Sequence, residues 1–170
     1  IGNGASSIVS SAFSGCTGLT SVVIGNGVTS IGDDAFAGCA NIEKLNLDCA
    51  VIGNWFSGVS AIKEVTIGNN VAAIDVDAFA GCNGIERVVI NDLAAWCGID
   101  FGSATANPLY YANNLYLNGN LLTELVVPNS VAEIKDYAFN NCANLVSVAI
   151  PSCVISIGDD AFAGCANIEK

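Results

Sequence analysis

The stretch IGDDAFAGCANIEK fills residues 31–44 and returns unchanged at 157–170. Fourteen identical residues within one short chain mark a repeated unit. A wider pattern surrounds them. Aligning on a Phe followed three positions later by Cys collects Phe13/Cys16, Phe36/Cys39, Phe79/Cys82, Phe139/Cys142 and Phe162/Cys165. Phe56 joins the series with Val59 in the cysteine slot. The steps from Phe13 to Phe36, Phe56 to Phe79 and Phe139 to Phe162 are each 23 residues. Phe36 to Phe56 is 20 and Phe79 to Phe139 is 60. A fixed period of this size predicts a solenoid.

Within a unit the Phe-Cys pair is followed by apolar positions at Leu19, Val22 and Ile24, which recur as Ile42, Leu45 and Leu47 and as Ile62, Val65 and Ile67. They recur again as Ile85, Val88 and Ile90 and as Leu145, Val148 and Ile150. The last two of each set alternate with one outward residue, the period of a strand. A Gly-Asn or Pro-containing turn follows at Gly25-Asn26, Gly68-Asn69, Pro128-Asn129 and Pro151-Ser152. Then come Val28/Ile31, Val71/Ile74, Val131/Ile134 and Val154/Ile157, spaced for a short extended return. A unit of this length cannot bury its apolar side alone, whereas stacked units cover one another. The reading is an α/β repeat solenoid, mainly parallel β. It is a right-handed coil of 23-residue repeats with short helical or 3-10 turns, parallel strands stacked at about 4.8 Å and the Phe rings in one column. Residues 1–170 form a single solenoid, expected to be an excerpt of a longer array: Ile1-Gly2-Asn3 matches Ile24-Gly25-Asn26, and the chain stops where Leu45 would follow Lys44.

Residues 91–121 break the rhythm and are read as one irregular insertion. The surrounding text, NDLAAWCGIDFGSATANPLYYANNLYLNGNLLTELVV (91–127), holds Trp96, Phe101, Tyr110, Tyr111 and Tyr116. LYLNGNLLTELVV reads as a hairpin turning at Asn118-Gly119, after which Leu122, Leu125 and Val127 restore the frame. Such inserts carry binding in some solenoids, but an aromatic plug over a step in the core is the favoured reading.

Composition narrows the function classes. The chain carries 5 basic and 16 acidic residues, a net charge of −11, which fits neither nucleic acid nor an anionic bilayer. The longest apolar run, 145–158, is broken by Pro151 and is too short to span a membrane. With no His, imidazole zinc sites and Ser-His or Cys-His nucleophiles are excluded. No catalytic set, metal site or cofactor is expected. Five of the 8 cysteines share one repeat slot, and Val59 fills the same slot. That favours a small buried packing residue over disulfides or metal ligands. The acidic pairs Asp33-Asp34 and Asp159-Asp160 precede Ala-Phe, where Ser10-Ser11 replaces them; capping of a helical turn is favoured over calcium binding or acid-base chemistry.

The units AFxGCxxLxxVxIGNxVxxIGDDAF, together with the interrupting DLAAWCGIDFGSATANPLYYANNLYLNG, resemble the BspA-like leucine-rich repeats of bacterial and protist surface proteins. The resemblance covers essentially the whole chain; the 20-residue step and Val59 depart from it. It implies a non-catalytic, extracellular or cell-wall-attached recognition or adhesion module that binds a protein or glycan on a host or neighbouring cell. A structural spacer of a surface fibre, with self-association, is the second implied class. The outward strand positions include Lys44, Asn46, Glu64, Thr66, Arg87 and Glu124. These, with Trp96, Tyr110, Tyr111 and Tyr116 of the insertion, are the candidate binding residues.

Overall fold

The computed structural model describes residues 1 and 4–169. The reading of Ile1-Gly2-Asn3 as a strand end falls partly outside them; Ile1 itself lies against the first long strand, its ammonium donating to Val23 O at 2.6 Å. The chain winds as a mostly parallel β-solenoid of about seven turns. Each turn contributes a long strand and a short return strand. In order these are β1 (Ser7–Ile8), β2 (Ser21–Ile24), β3 (Ser30–Ile31), β4 (Lys44–Leu47), β5 (Val51–Ile52), β6 (Glu64–Ile67), β7 (Ala73–Ile74) and β8 (Arg87–Ile90). There follow α1 (Leu93–Cys97), β9 (Asp100–Phe101), a 3-10 turn (Ala104–Ala106), α2 (Leu109–Ala112), β10 (Leu115–Leu117) and β11 (Asn120–Leu121). The last turns hold β12 (Glu124–Val126), β13 (Glu133–Ile134), β14 (Ser147–Ala149) and β15 (Ser156–Ile157).

The long strands stack in the sequence frame. Val22 lies beside Leu45, Leu45 beside Val65 and Val65 beside Val88, so the 20-residue step does not disturb this sheet. Ile24, Leu47, Val65 and Val88 are fully buried while their strand neighbours Val23, Asn46 and Thr66 point outward. Each buried Val, Leu, Ile or Phe contributes about 1.5–3 kcal/mol, and only the adjacent turn supplies the cover.

The corners are hydrogen-bonded turns, not helices. Except at the short Phe56 corner, where only Gly58 (φ 77°) does so, two residues per Phe corner take left-handed backbone, flanking the Phe on either side: Asp34 (φ 57°) and Gly38 (φ 75°) around Phe36, Asp77 (φ 65°) and Gly81 (φ 75°) around Phe79. Asp and Asn tolerate this conformation better than most side chains, which corrects the expectation that Asp33-Asp34 cap a helix. The true cap is Asp92, whose Oδ1 accepts from Ala94 and Ala95 N–H at 2.7 and 3.1 Å and starts α1.

The aromatic column is also corrected. Phe13 stacks on Phe36 (5.3 Å, 4°), Phe36 on Phe56 (5.1 Å, 29°) and Phe139 on Phe162 (5.2 Å, 8°). Phe79 is fully buried, but no ring stack among the described residues includes it. The short third turn tilts Phe56, which takes Trp55 edge-on at 6.3 Å. On the far side of Phe79 the next turn has no Phe in the corresponding slot.

That next turn is made by the insertion. Residues 91–117 are a complete coil, not an excursion. Val88 pairs with Leu115 and Ile90 with Leu117 on the long-strand side, while Ala73 pairs with Asp100 and Ile74 with Phe101 on the return side. Both registers are offset by 27 residues, which places Ala106 in the Phe slot, Leu109 in the Cys slot and Ala112 in the slot of Ile85; all three are buried. The hairpin follows as read: Asn118 and Gly119 both have positive φ, and β11 pairs antiparallel with β10. β12 then begins a separate sheet with β14, Leu125 beside Val148.

The joint between the two stacks is made by side chains. At regular corners a Phe N–H donates to the carbonyl before the next Phe, as Phe13 does to Ala35 O and Phe139 to Ala161 O, each at 2.8 Å. At the joint Ala138 O instead accepts from Trp96 Nε1 at 2.8 Å, and Tyr137 O from Asn107 Nδ2 at 2.8 Å. Asn107 is fully buried, and its Oδ1 accepts from Leu109 N–H at 2.9 Å. Lys135 adds a backbone bond to Cys97 O (3.0 Å) and an ion pair with Asp100 (3.5 Å).

Candidate functional site

The outward residues of β4, β6 and β8 form a row. Lys44 pairs across to Glu64 and Glu64 to Arg87, one rung at a time. Lys44 Nζ lies 3.8 Å from Glu64 Oε1, and Arg87 Nε lies 3.5 Å from Glu64 Oε2. These pairs are half open to water and contribute under about 1 kcal/mol each. Arg87 Nε is covered yet makes no hydrogen bond, and the guanidinium carbon sits 4.2 Å from the centroid of the Tyr116 ring. Tyr116 arrives from β10, one strand further along the same sheet. Asn46 and Thr66 are neighbours in the adjoining row, which continues through Val89 to Tyr116. Six of the ten candidate residues therefore meet on one face: Lys44, Asn46, Glu64, Thr66, Arg87 and Tyr116.

The other four lie elsewhere. Glu124 is outward on β12, in the second sheet, beyond the hairpin. Trp96 is buried and serves the joint, so it offers no surface to a ligand. Tyr110 and Tyr111 sit together on α2, ring centroids 5.2 Å apart, at the corner of the coil. Tyr110 is exposed; Tyr111 is partly buried, and burial raises its phenol pKa above the usual value. Pairing Arg87 with an aromatic was not legible beforehand, because the 27-residue offset that brings Tyr116 beside it is hidden in an irregular stretch.

The cysteine slot has a function in packing. All eight cysteines are thiols. Cys39 Sγ donates to Phe13 O at 3.0 Å, Cys82 to Phe56 O at 3.1 Å and Cys165 to Phe139 O at 3.1 Å. At these three corners one bond thus ties the corner to the one before it. Burial pushes the thiols up, Cys82 and Cys49 to about 11 and Cys97 and Cys142 to about 12. Buried, protonated thiols are poor nucleophiles and poor metal ligands. Among the described residues no three Asp, Glu or Cys side chains gather as a metal site, and no helix is long and apolar enough to cross a membrane.

Sequence comparison matches the chain to the family described as "BspA type Leucine rich repeat region", in six copies over residues 1–96 and 111–170. The unmatched gap falls within the 27-residue coil. No curated protein matches. Solved structures with similarity include a leucine rich cell surface protein from Faecalibacterium prausnitzii, 20% identical, covering 99% of this chain and 51% of that one, with a TM-score of 0.42. The Treponema pallidum leucine rich repeat protein is 25% identical over 95% of this chain and 60% of that one (TM-score 0.33). A leucine-rich repeat protein from Eubacterium ventriosum is 18% identical over 96% and 56% (TM-score 0.36). The chain thus spans between half and two thirds of the length of these proteins.

Proposed function

Because the chain belongs to the BspA-type leucine-rich repeat family, we propose that it is a non-catalytic recognition module of a cell-surface or secreted protein, part of a longer array, that binds a protein or glycan on another cell or matrix through its long-strand face. The observation that carries this reading is the Lys44–Glu64–Arg87 row with the Tyr116 ring, from the adjoining row, against its Arg87 end. It sets alternating charges and one aromatic on a sheet of regular register. Tyr and Arg are the side chains that most often anchor interfaces. The sheet fixes their spacing in advance, which lowers the ordering cost of binding. The family is one of protein-interaction repeats, and no enzymatic family is indicated.

Binding of the chain to a panel of immobilised matrix glycoproteins, native and deglycosylated, tests this reading. The doubly substituted R87A/Y116A chain keeps its fold and loses at least about tenfold in affinity, since a desolvated anchor contributes 1.4 kcal/mol or more. Equal retention of the substituted chain contradicts the assignment of this face.

The exact copy at 31–44 and 157–170 favours a second reading, a spacer or assembly element of a surface fibre, because a spacer needs no diversified face. Analytical ultracentrifugation distinguishes the two: self-association that rises with concentration, with no retained partner, supports the fibre.

A further inference from the structure

The third turn is three residues short, and the shortfall opens one side of the coil only. On the long-strand side β4 pairs with both β2 and β6. On the return side β3 pairs only with β1, and β5 begins a new ladder with β7 and β9. An intact return step shows what is missing. Between β7 and β9, Asp100 N–H donates to Ala72 O at 2.9 Å and Gly102 N–H to Ile74 O at 2.8 Å. In the repeat frame the corresponding donors of the third turn are Val51 and Gly53 N–H, and the corresponding acceptors of the second are Thr29 and Ile31 C=O. Among the described residues neither bond forms. All four residues line a groove of about 670 Å³.

The groove has two acceptors along one wall and two donors along the other, in the sense of a parallel ladder with a rung taken out. Unpaired strand edges of this kind invite a further strand. Asp33, Asp34 and Asp75 line the same groove, Trp55 stands beside them half-buried, and no Lys or Arg contributes to the lining. The Trp55 ring lies over the backbone of Gly53, where an added Cβ would meet Nε1 at 2.9 Å.

We propose that this groove binds an extended basic peptide segment as a strand parallel to β3 and β5. Its N–H groups donate to Thr29 and Ile31 C=O, and its own carbonyls accept from Val51 and Gly53 N–H. In that direction the segment's C-terminal end runs toward Asp33, Asp34 and Asp75. A Lys or Arg there meets three carboxylates and the Trp55 ring. A glycan matches the aromatic and the carboxylates but not the ordered backbone edges. The site is on the return side and does not depend on the long-strand face, so either assignment can fail without the other.

The test is titration of the full chain with the peptide acetyl-Thr-Val-Thr-Val-Arg-Lys-amide, read by Trp emission and by calorimetry. Trp96 is buried and constant, so the changing signal is that of Trp55; W55F removes it. The expected result is saturable binding that weakens at least about tenfold for a peptide N-methylated at alternate amides, for a Glu-Glu terminus and for D33N/D34N/D75N. Binding also weakens as salt rises. Equal affinity for the N-methylated peptide, which needs no protein variant, overturns the proposal. So does the absence of saturable binding up to millimolar peptide. Saturation of the Trp55 signal by a neutral hexasaccharide with no response to peptide overturns it in favour of a glycan site.

Discussion

At the scale of the residue, a small thiol in the cysteine slot fills the space beside the Phe and, at Cys39, Cys82 and Cys165, donates one bond to the previous corner. In C82A the bond to Phe56 O and the sulfur's packing both go. Thermal or urea unfolding should show a loss of about 1–3 kcal/mol. Alkylation of the native chain at neutral pH should label Cys16, which is exposed, ahead of Cys39, Cys82, Cys97 and Cys142, and denaturant should release the rest. The raised thiol pKa values also set a pH dependence. The folded state holds its thiol protons above pH 9, where the unfolded chain has begun to release them, so between about 9 and 12 it binds more protons than the unfolded state. Stability is therefore unaffected below pH 9 and falls as pH rises through that window, by up to about 1.4 kcal/mol per pH unit for each such thiol. Denaturation midpoints measured from pH 7 to 10.5 check this; a midpoint flat to pH 10.5 contradicts it. Corner glycines make a different demand. Gly38 is left-handed (φ 75°), and an added Cβ would lie 3.5 Å from Gly15, so the cost of G38A is backbone strain more than crowding, about 1–2 kcal/mol by the same unfolding measurement.

At the scale of the element, the joint at 91–123 decides whether the two stacks act as one. Trp96 and Asn107 replace main-chain bonds that a regular corner would make. N107A removes one of the two bonds to Tyr137 O, which still accepts from Asn140 N–H, leaves Leu109 N–H without its partner, and should cost about 1–3 kcal/mol. W96F keeps most of the packing and should cost about 1–2 kcal/mol. Because both donors serve adjacent carbonyls, the double variant should deviate from additivity. Hydrogen exchange of the N107A chain should show β13 and its corner opening before β4 and β6. Much of this architecture was legible in the sequence. The Phe-to-Cys spacing located the corners, the alternation at Val22 and Ile24 gave the inward face, and Asn118-Gly119 gave the hairpin. What escaped has physical reasons. Ala106 and Leu109 hold the Phe and Cys slots of the fifth coil with residues of inverted size, so the motif vanishes while the coil persists. Val59 and the 20-residue step announced a shortened turn, but a length alone does not tell which side of the coil will open. Of the candidate binding residues on regular strands, Lys44, Asn46, Glu64, Thr66 and Arg87 lie on one sheet face, whereas Glu124 falls in the second sheet. Trp96 did not, because an indole N–H that can reach a carbonyl is as useful to a core as to a ligand.

At the scale of the whole molecule, a net charge of −11 is spread over a stack held by apolar ladders and by bonds between turns. Such acidity favours solubility in general and bears on partners rather than on fold. The two proposed sites occupy different sides of the coil, one built from side chains on an intact sheet and the other from the backbone of a broken ladder. Underlying both is one idea: each turn buries its apolar edge only against the turns beside it, and this continues through the insertion as a 27-residue coil. The direct measurement is a nuclear Overhauser map of the isotopically labelled chain. Cross-peaks should join Phe13 to Phe36, Phe36 to Phe56 and Phe139 to Phe162, and, across the insertion, Val88 to Leu115 and Ile74 to Phe101. If Leu115 and Phe101 show contacts only with residues near them in sequence, the fifth turn is a loop and the continuous stack is contradicted.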